Sequence, residues 1–169
     1  AYEILVCLVG SEMCIREMRT QEFADFYHYA AEAYAQDIAE NQGHAAEKSL
    51  ELAHQALKRC FPDGVESKGQ SLMCIDAEED GESILAGYLW HCVNQKEGST
   101  FIYDFYVMEA FRGQGLGSKA IELLEAKIKD VGIKQIKLRV AFNNERARKL
   151  YEELGFVVTG YNMSKVITG

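Results

Sequence analysis

A run of alternating glycines marks the point where a predicted strand gives way to a predicted helix, in the stretch FYVMEAFRGQGLGS at residues 105–118. Gly113, Gly115 and Gly117 let backbone N–H groups approach a ligand closely because they carry no side chain. The helix that follows adds unpaired N–H donors and the positive end of its dipole. Arg112 adds a cationic, forked donor at the same place. These residue types in this order predict a loop that binds a phosphate or a pyrophosphate.

Two other phosphate-binding loops do not fit these residues. A Walker A loop ends in Gly-Lys-Ser/Thr, whereas the order here is Gly117, Ser118, Lys119. A dinucleotide-binding fingerprint requires Gly-x-Gly-x-x-Gly and then an acidic residue about 20 positions later. Here the third glycine comes one position early, and the next strand ends in the uncharged residues 141–144. A nucleotide-dependent oxidoreductase is therefore disfavoured.

A second patterned stretch follows one helix and one strand later. It follows the pattern Asn-x-x-Ala-x-x-Leu-Tyr-x-x-x-Gly-Phe, and its members are Asn144, Ala147, Leu150, Tyr151, Gly155 and Phe156. Together with Arg-x-x-Gly-x-Gly at residues 112–117, this stretch resembles the GCN5-related N-acetyltransferase (GNAT) family over Ile15 to Ile167. The resemblance implies an acyl-CoA-dependent N-acyltransferase, which transfers an acetyl group from acetyl-CoA to a primary amine by direct attack. A catalytically silent acetyl-CoA sensor or scaffold is the alternative.

The resemblance also implies where acetyl-CoA binds, with no metal required. The pyrophosphate would lie on the loop amides, the pantetheine would run beside the strand before the loop, and Asn144 would hydrogen-bond the pantetheine. The alternative for Asn144 is a plain helix N-cap, which is compatible with that contact. An N–H near Val107 would polarise the thioester carbonyl. The implied cofactor-binding residues are Tyr106, Val107, Met108, Arg112, Gly113, Gln114, Gly115, Leu116, Gly117, Ser118 and Asn144.

Two residues are implied in proton transfer. Tyr151 occupies the family position of a tyrosine that protonates the departing thiolate, and a phenol keeps its proton at neutral pH. Its alternative role is to extend the apolar face of its helix. Asp104 is the first candidate for the general base, with Glu109 second, because burial in an aromatic strand would raise the pKa of Asp104. The alternative for Asp104 is a structural role, as a carboxylate paired with a neighbouring helix or loop.

The acceptor side is predicted from aromatic and acidic residues on the first helix and a central strand. Tyr34 and Asp37 are one helical turn apart, and Tyr88 and Trp90 share one face of a strand. An aromatic wall with a carboxylate would suit a cationic amine. The alternative is that the aromatic residues belong to the core and that Asp37 is solvated.

The elements that must position these residues follow from hydrophobic periodicity. Three- and four-residue spacing predicts helices near residues 20–40, 46–60, 117–131 and 144–154. Strands are predicted at 15–18, 72–77, 84–93, 100–108, 133–142 and 156–167, with a hairpin turn at Asp80-Gly81. The fold class is α/β of the α+β type: a mixed, mostly antiparallel central sheet with helices on both faces. Residues 13–169 form one acetyltransferase domain, and residues 1–12 are expected to be a non-native or disordered extension.

Composition narrows the class of partner. The 169 residues carry 18 Lys+Arg against 26 Asp+Glu, and this net charge of -8 argues against a non-specific nucleic-acid binder. Five cysteines without a Cys-x-x-Cys pair indicate reduced thiols in the cytoplasm, and no run suits a membrane span. The expected partners are acetyl-CoA and an amine acceptor, without nucleic acid or membrane, and the resemblance is compatible with a homodimer.

The negative charge is unevenly distributed along the chain. Residues 110–155 hold ten basic and six acidic side chains, so the remainder holds eight basic and twenty acidic ones. The basic stretch coincides with the predicted phosphate loop. The acidic remainder includes the elements expected to receive the acceptor, which predicts a small cationic amine or a protein or peptide amine.

Overall fold

The computed structural model describes residues 6–7, 13–163, 165 and 167. They fall into two compact units, Ala1–Arg139 and Val140–Gly169. Apart from Val6–Cys7, the extension at residues 1–12 lies outside the described residues. Its expected non-native or disordered character therefore stays a prediction, as does the single domain over residues 13–169.

The first unit is built on a sheet of six strands in chain order. The strands are β1 (Val6–Cys7), β2 (Met13–Glu17), β3 (Ser71–Glu79), β4 (Glu82–Asn94), β5 (Ser99–Val107) and β6 (Gln135–Leu138). Neighbouring strands are antiparallel except β5 and β6, which are parallel because a helix crosses over between them. The predicted mixed, mostly antiparallel sheet is confirmed.

The turn between β3 and β4 follows from two residues. Asp80 and Gly81 have φ of 52° and 80°, the left-handed pair that a two-residue hairpin requires. This hairpin holds β3 and β4 in register along most of their length. The register shifts once, because Ile75 pairs with Gly87 whereas Asp76 pairs with Leu85, so that Ala86 is an extra residue in β4.

Helices cover both faces of the sheet, as expected. Helices α1 (Phe23–Gln42) and α2 (Ala46–Cys60) pack on one face, and α3 (Leu116–Asp130) packs on the other. The core on the first face contains Met18, Phe26, Ala30, Ala31, Leu57, Phe61, Leu72, Cys74, Tyr88 and Trp90. The buried residues that α3 contributes are Leu116, Ala120, Ile121, Leu123, Leu124 and Ile128. Because successive side chains of a strand point to opposite faces of the sheet, β3 and β4 contribute residues to the core on both faces.

A buried ion cluster fixes the chain where it leaves β2 for α1. The Arg16 guanidinium lies 2.6 Å from a carboxylate oxygen of Asp76 on β3 and 2.7 Å from one of Glu22. The hydrogen bonds from Arg16 hold the pKa of Glu22 down at about 2, so the pair stays ionised at neutral pH. The start of α1 is thereby anchored to the sheet.

The second unit contains one described helix, α4 (Glu145–Glu153), followed by extended chain. The last strand, predicted at 156–167, is wrong over its described part, because residues 156–163 have no regular secondary structure. Val157 and Val158 are 79% and 55% exposed. Apolar alternation alone does not make a strand, since a strand also needs hydrogen-bond partners beside it. The strand predicted at 133–142 is likewise shorter, ending at Leu138.

Candidate active site

The strand β6 pairs with β5 over only part of its length. Their parallel pairing ends at Ile102 and Leu138, while β5 continues through Tyr103–Val107. A bulge causes the separation: Trp90 pairs with Asp104 but His91 pairs with Ile102, so Tyr103 is an extra residue that bends β5. The outer edge of β5, which is the side of residues 103–107 away from β4, is therefore not paired with β6.

The direction of each backbone group on this edge can be read from one hydrogen bond. The Met108 N–H donates to the Ala86 carbonyl oxygen of β4 at 2.8 Å. Successive residues of a strand direct their N–H groups to opposite edges, so the Val107 N–H is directed away from β4. Among the residues expected to contact the thioester, Val107 thus has its amide on the outer edge of β5, whereas the Met108 amide donates to Ala86.

The glycine loop has the geometry of an anion site. Gly113 and Gly115 have φ of 78° and 80°, and a Cβ on either would meet no atom within 4 Å. Helix α3 begins at Leu116 with Gly115 as its N-cap, without a side-chain cap and without an acidic residue in its first turn. The first N–H groups of α3 have no partner within the helix and are directed toward this open space. Acetyl-CoA, through its pyrophosphate, fits such a cradle.

Arg112 joins the loop to β5. Its Nε donates to the Val107 carbonyl oxygen at 2.8 Å, and its guanidinium carbon lies 5.5 Å from the centre of the Tyr106 ring. The Gln114 amide donates to the Ala110 carbonyl oxygen at 3.2 Å. Both contacts lie within the loop and β5, so they stabilise the turn that presents the glycines.

Asp104 is the most perturbed carboxyl in the site. Its Oδ1 accepts a hydrogen bond from the Tyr29 hydroxyl at 3.1 Å, while its Oδ2 is buried without a hydrogen-bond partner among the described residues. Burial raises the pKa of Asp104 to about 6, and the Tyr29 hydrogen bond opposes that rise. The Tyr29 hydrogen bond joins Asp104 to the neighbouring helix α1, so the structural alternative stays open beside the role of general base. The geometry leaves a carboxyl that can take up a proton near neutral pH.

Sequence reasoning missed Tyr29. It lies on α1 three residues after Phe26, on the same helical face as the core-directed stripe, so helical spacing could have placed it at the sheet. No local signal could have paired it with Asp104, which is 75 positions away in the chain.

The second unit holds Asn144 and Tyr151. Asn144 caps α4, since its Oδ1 accepts the Ala147 N–H at 3.0 Å, which is the structural role that sequence reasoning left open. The Tyr151 ring lies 5.4 Å from that of Phe156, and the Phe156 N–H donates to the Tyr151 carbonyl oxygen at 2.9 Å. The catalytic role of Tyr151 and the pantetheine contact of Asn144 stay predictions.

The residues predicted for the acceptor are only partly presented to solvent. Tyr34 is 41% exposed, but Trp90 is 8% exposed and its indole N–H donates to Gln70 at 2.7 Å. Tyr88 is buried in the same core, so both strand aromatics occupy the core position that was their alternative. The Asp37 carboxylate already has two partners, Arg139 at 3.6 Å and Asn41 at 2.9 Å. Acceptor roles for Tyr34, Asp37 and Trp90 stay predictions.

The sequence model of the acetyltransferase (GNAT) family matches residues 23–156, which include the loop, α4 and the β5 carboxyl. The chain belongs to this family. The predicted family, the fold class and the expected acyl-CoA-dependent N-acyltransferase are thereby confirmed.

Relatives of this GNAT chain include a protein of nearly the same length. This chain is 31% identical over 150 residues to YycN of Bacillus subtilis (strain 168), an uncharacterized N-acetyltransferase. The alignment covers 88% of this chain and 94% of YycN. The crystal structure of YycN matches with a TM-score of 0.83 at 29% identity, covering 93% of this chain and 99% of that one. A shorter match, 40% identical over 60 residues, is to the thialysine N-epsilon-acetyltransferase of Bos taurus, covering 36% and 35% of the two chains.

The described part of this GNAT domain has neither a membrane-spanning helix nor a metal-binding group of three side chains. Across residues 6–7, 13–163, 165 and 167, no helix has both the length and the apolar character to cross a bilayer. In that same portion of the chain, no three His, Cys, Asp or Glu side chains come together as a metal-binding group.

Proposed function

We propose that this chain transfers an acetyl group from acetyl-CoA to a primary amine by direct attack, without a covalent enzyme intermediate. The observation that carries this proposal is the Asp104 carboxyl, which has a buried oxygen without a hydrogen-bond partner among the described residues, on the strand that precedes the glycine loop. An amine arrives protonated and must lose a proton before it attacks. A carboxyl with a pKa of about 6 is suited to accept that proton.

The donor half of the proposal rests on the loop and the outer edge of β5. The amides of residues 112–117 and Ser118 would hold the pyrophosphate, since they combine a helix N-terminus with glycines at positive φ. Main chain at Val107 would pair with the pantetheine arm as an added strand, whereas Tyr106, whose amide is directed toward β4, would border that arm through other atoms. Met108 would border that arm through atoms other than its amide, which Ala86 already accepts.

The transfer itself balances with three groups of the chain. Asp104 takes a proton from the ammonium, and the amine nitrogen then forms a bond to the thioester carbon. The Val107 N–H stabilises the negative oxygen that develops. The carbon–sulfur bond breaks as Tyr151 gives its proton to the departing thiolate, and the remaining excess proton on nitrogen restores Tyr151. The products are an acetamide, free CoA thiol and one proton, which Asp104 releases to solvent so that the carboxylate is restored.

We infer a cationic acceptor from charge and from one relative. The part of the chain outside residues 110–155 carries twenty acidic and eight basic side chains, which favours approach of a cation. The relative named for thialysine acts on the side-chain amine of a lysine analogue, over a match of 60 residues. A small cationic amine of this kind, or a protein or peptide amine, is the acceptor that we propose.

The cellular setting is also a proposal. Three described cysteines, Cys60, Cys74 and Cys92, are free thiols, as expected for a protein of the cytoplasm. A homodimer that binds acetyl-CoA and amine, without nucleic acid or membrane, stays a prediction.

Release of CoA thiol from acetyl-CoA tests this function. The panel comprises thialysine, lysine, spermidine, an amino sugar and a peptide with a free N-terminus, with product mass as the second readout. We expect acetylation of at least one cationic amine and a loss of about 10²–10⁴ in kcat for Asp104→Asn. Binding of acetyl-CoA without thiol release for any amine would instead support the sensor.

A further inference from the structure

Tyr29 joins the proposed base to a stack of aromatic rings. Its hydroxyl donates to Asp104 Oδ1 at 3.1 Å, and its ring stacks on that of Tyr106 with centroids 4.4 Å apart and planes 28° apart. The ring also stacks on that of Tyr88, with centroids 5.7 Å apart and an angle of 28°. A phenol packed against two rings has little freedom to rotate away, so the hydroxyl is held on Asp104.

The Tyr29 hydroxyl can only be the donor in its hydrogen bond with the Asp104 carboxylate. An ionised carboxylate accepts hydrogen bonds but donates none, so the proton between the two groups belongs to Tyr29. Burial, reinforced by the nearby Asp104 charge, raises the pKa of Tyr29 well above its ordinary value, so it remains a donor throughout the working pH range. One oxygen of Asp104 is therefore occupied permanently, and the other is buried without a hydrogen-bond partner among the described residues.

We propose that Tyr29 is a positioning residue for Asp104: its hydroxyl holds Oδ1 and leaves Oδ2 as the acceptor for a proton of the substrate amine. This inference rests on the proposed role of Asp104 as general base. The hydrogen bond stabilises the charged carboxylate, so Tyr29 opposes the effect of burial and keeps a substantial fraction of Asp104 ionised near neutral pH. Without it, a larger fraction of the base would be protonated when the amine arrives.

Groups from β4, β5 and the loop surround the pair of Tyr29 and Asp104. They are Tyr88 and Trp90 on β4, Tyr106 on β5, and Arg112 in the loop. Arg112 lies over the Tyr106 ring, and its positive charge acts on Tyr29 against the rise in the Tyr29 pKa. The stack thus extends from the proposed pyrophosphate loop to the proposed base.

Tyr29→Phe tests the inference because it keeps the ring stack and removes only the hydroxyl. Titration of the Asp104 carboxyl carbon by ¹³C NMR, assigned with Asp104→Asn, should show its pKa about one pH unit higher than in the wild type. With acetyl-CoA and the panel amine that releases CoA fastest, the ascending limb of kcat/KM against pH should move to higher pH by the same amount. The KM for acetyl-CoA should not change.

Tyr27→Phe is the matched control. Tyr27 lies on the same helix, and its hydroxyl interacts with His54 at 3.4 Å rather than with Asp104. Its removal should leave both the carboxyl titration and the pH–rate limb unchanged, and the melting midpoints of the two variants verify that each is folded.

The two measurements separate this inference from the proposed function. An unchanged Asp104 titration in Tyr29→Phe would overturn the positioning role, whereas the function would still stand if Asp104→Asn abolishes transfer. A shifted titration with an unmoved rate profile would remove Asp104 as the base, and the positioning role with it.

Discussion

Asp104 combines a buried carboxyl with an oxygen that has no hydrogen-bond partner among the described residues, which is unfavourable for folding. Its folded pKa of about 6 lies above the ordinary value of 3.8. The folded state therefore binds more protons than the unfolded chain between these values, and stability falls as pH rises through this window.

Asp104→Asn should consequently stabilise the protein while it abolishes transfer. Asn keeps an oxygen for the Tyr29 hydroxyl but removes the charge, so the free energy of unfolding at pH 8 should rise by up to about 2–3 kcal/mol. At pH 4 the gain should be much smaller, because Asp104 is then largely protonated in the folded state. Urea unfolding of both proteins at the two pH values measures this; equal differences at pH 4 and pH 8 would contradict it.

Tyr151 is expected to act only when the thiolate departs. Tyr151→Phe keeps the ring that packs against Phe156 and removes the proton donor, so the chemical step should slow by about 10²-fold or more. Single-turnover rates of acetyl transfer provide the measurement. An unchanged rate of that step would assign Tyr151 to packing alone, which is its alternative role.

At the scale of elements, the contact of β4 with β5 depends on the absence of a side chain at Gly87. A Cβ there would collide with the Tyr106 carbonyl oxygen and crowd the Ile75 side chain. Gly87→Ala should therefore push β5 outward where Val107 presents its amide, lowering the melting midpoint and weakening acetyl-CoA binding by tenfold or more. Gly160→Ala is the control, because Gly160 has no atom within 4 Å of a Cβ and no positive φ. Equal effects of the two substitutions would contradict this account.

The glycine loop allows backbone strain to be separated from ligand contact. Gly115 and Gly98 have φ of 80° and 61°, and neither has an atom within 4 Å of a Cβ. Alanine at either position should cost about 1 kcal/mol of stability through strain. Only Gly115→Ala should also weaken acetyl-CoA, as measured by calorimetry, since Gly98 lies in the turn between β4 and β5. A comparable loss of affinity in both variants would exclude the loop as the pyrophosphate site.

Elements with a strong local signal were predictable from the sequence, and those that depend on distant partners were not. The four helices, the hairpin at Asp80-Gly81 and the glycine loop each follow from periodicity or turn chemistry. The segment at 156–163 carries strand-like residues, yet its described part joins no sheet. The Tyr29–Asp104 contact and the core position of Trp90 depend on how α1 packs on the sheet, which neither segment encodes alone.

At the scale of the whole molecule, the division of charge should appear in the kinetics. A cationic acceptor approaching a chain of net charge -8 should show kcat/KM that falls several-fold as salt rises from about 0.02 to 0.3 M. A neutral hydroxylated amine of the same size is the control and should show a weaker dependence. A panel in which only neutral or anionic amines react would overturn the cationic acceptor.

The outer edge of β5 also has a consequence for the lifetime of the protein in solution, because β6 does not pair with it. A strand edge with open N–H and C=O groups can template pairing with another chain, and proteins protect such edges by covering or bending them. Here the bulge at Tyr103 supplies the bend, and the proposed pantetheine strand would supply the cover. Bound acetyl-CoA would thus also protect the protein from aggregation, so self-association would be greatest when acetyl-CoA is scarce.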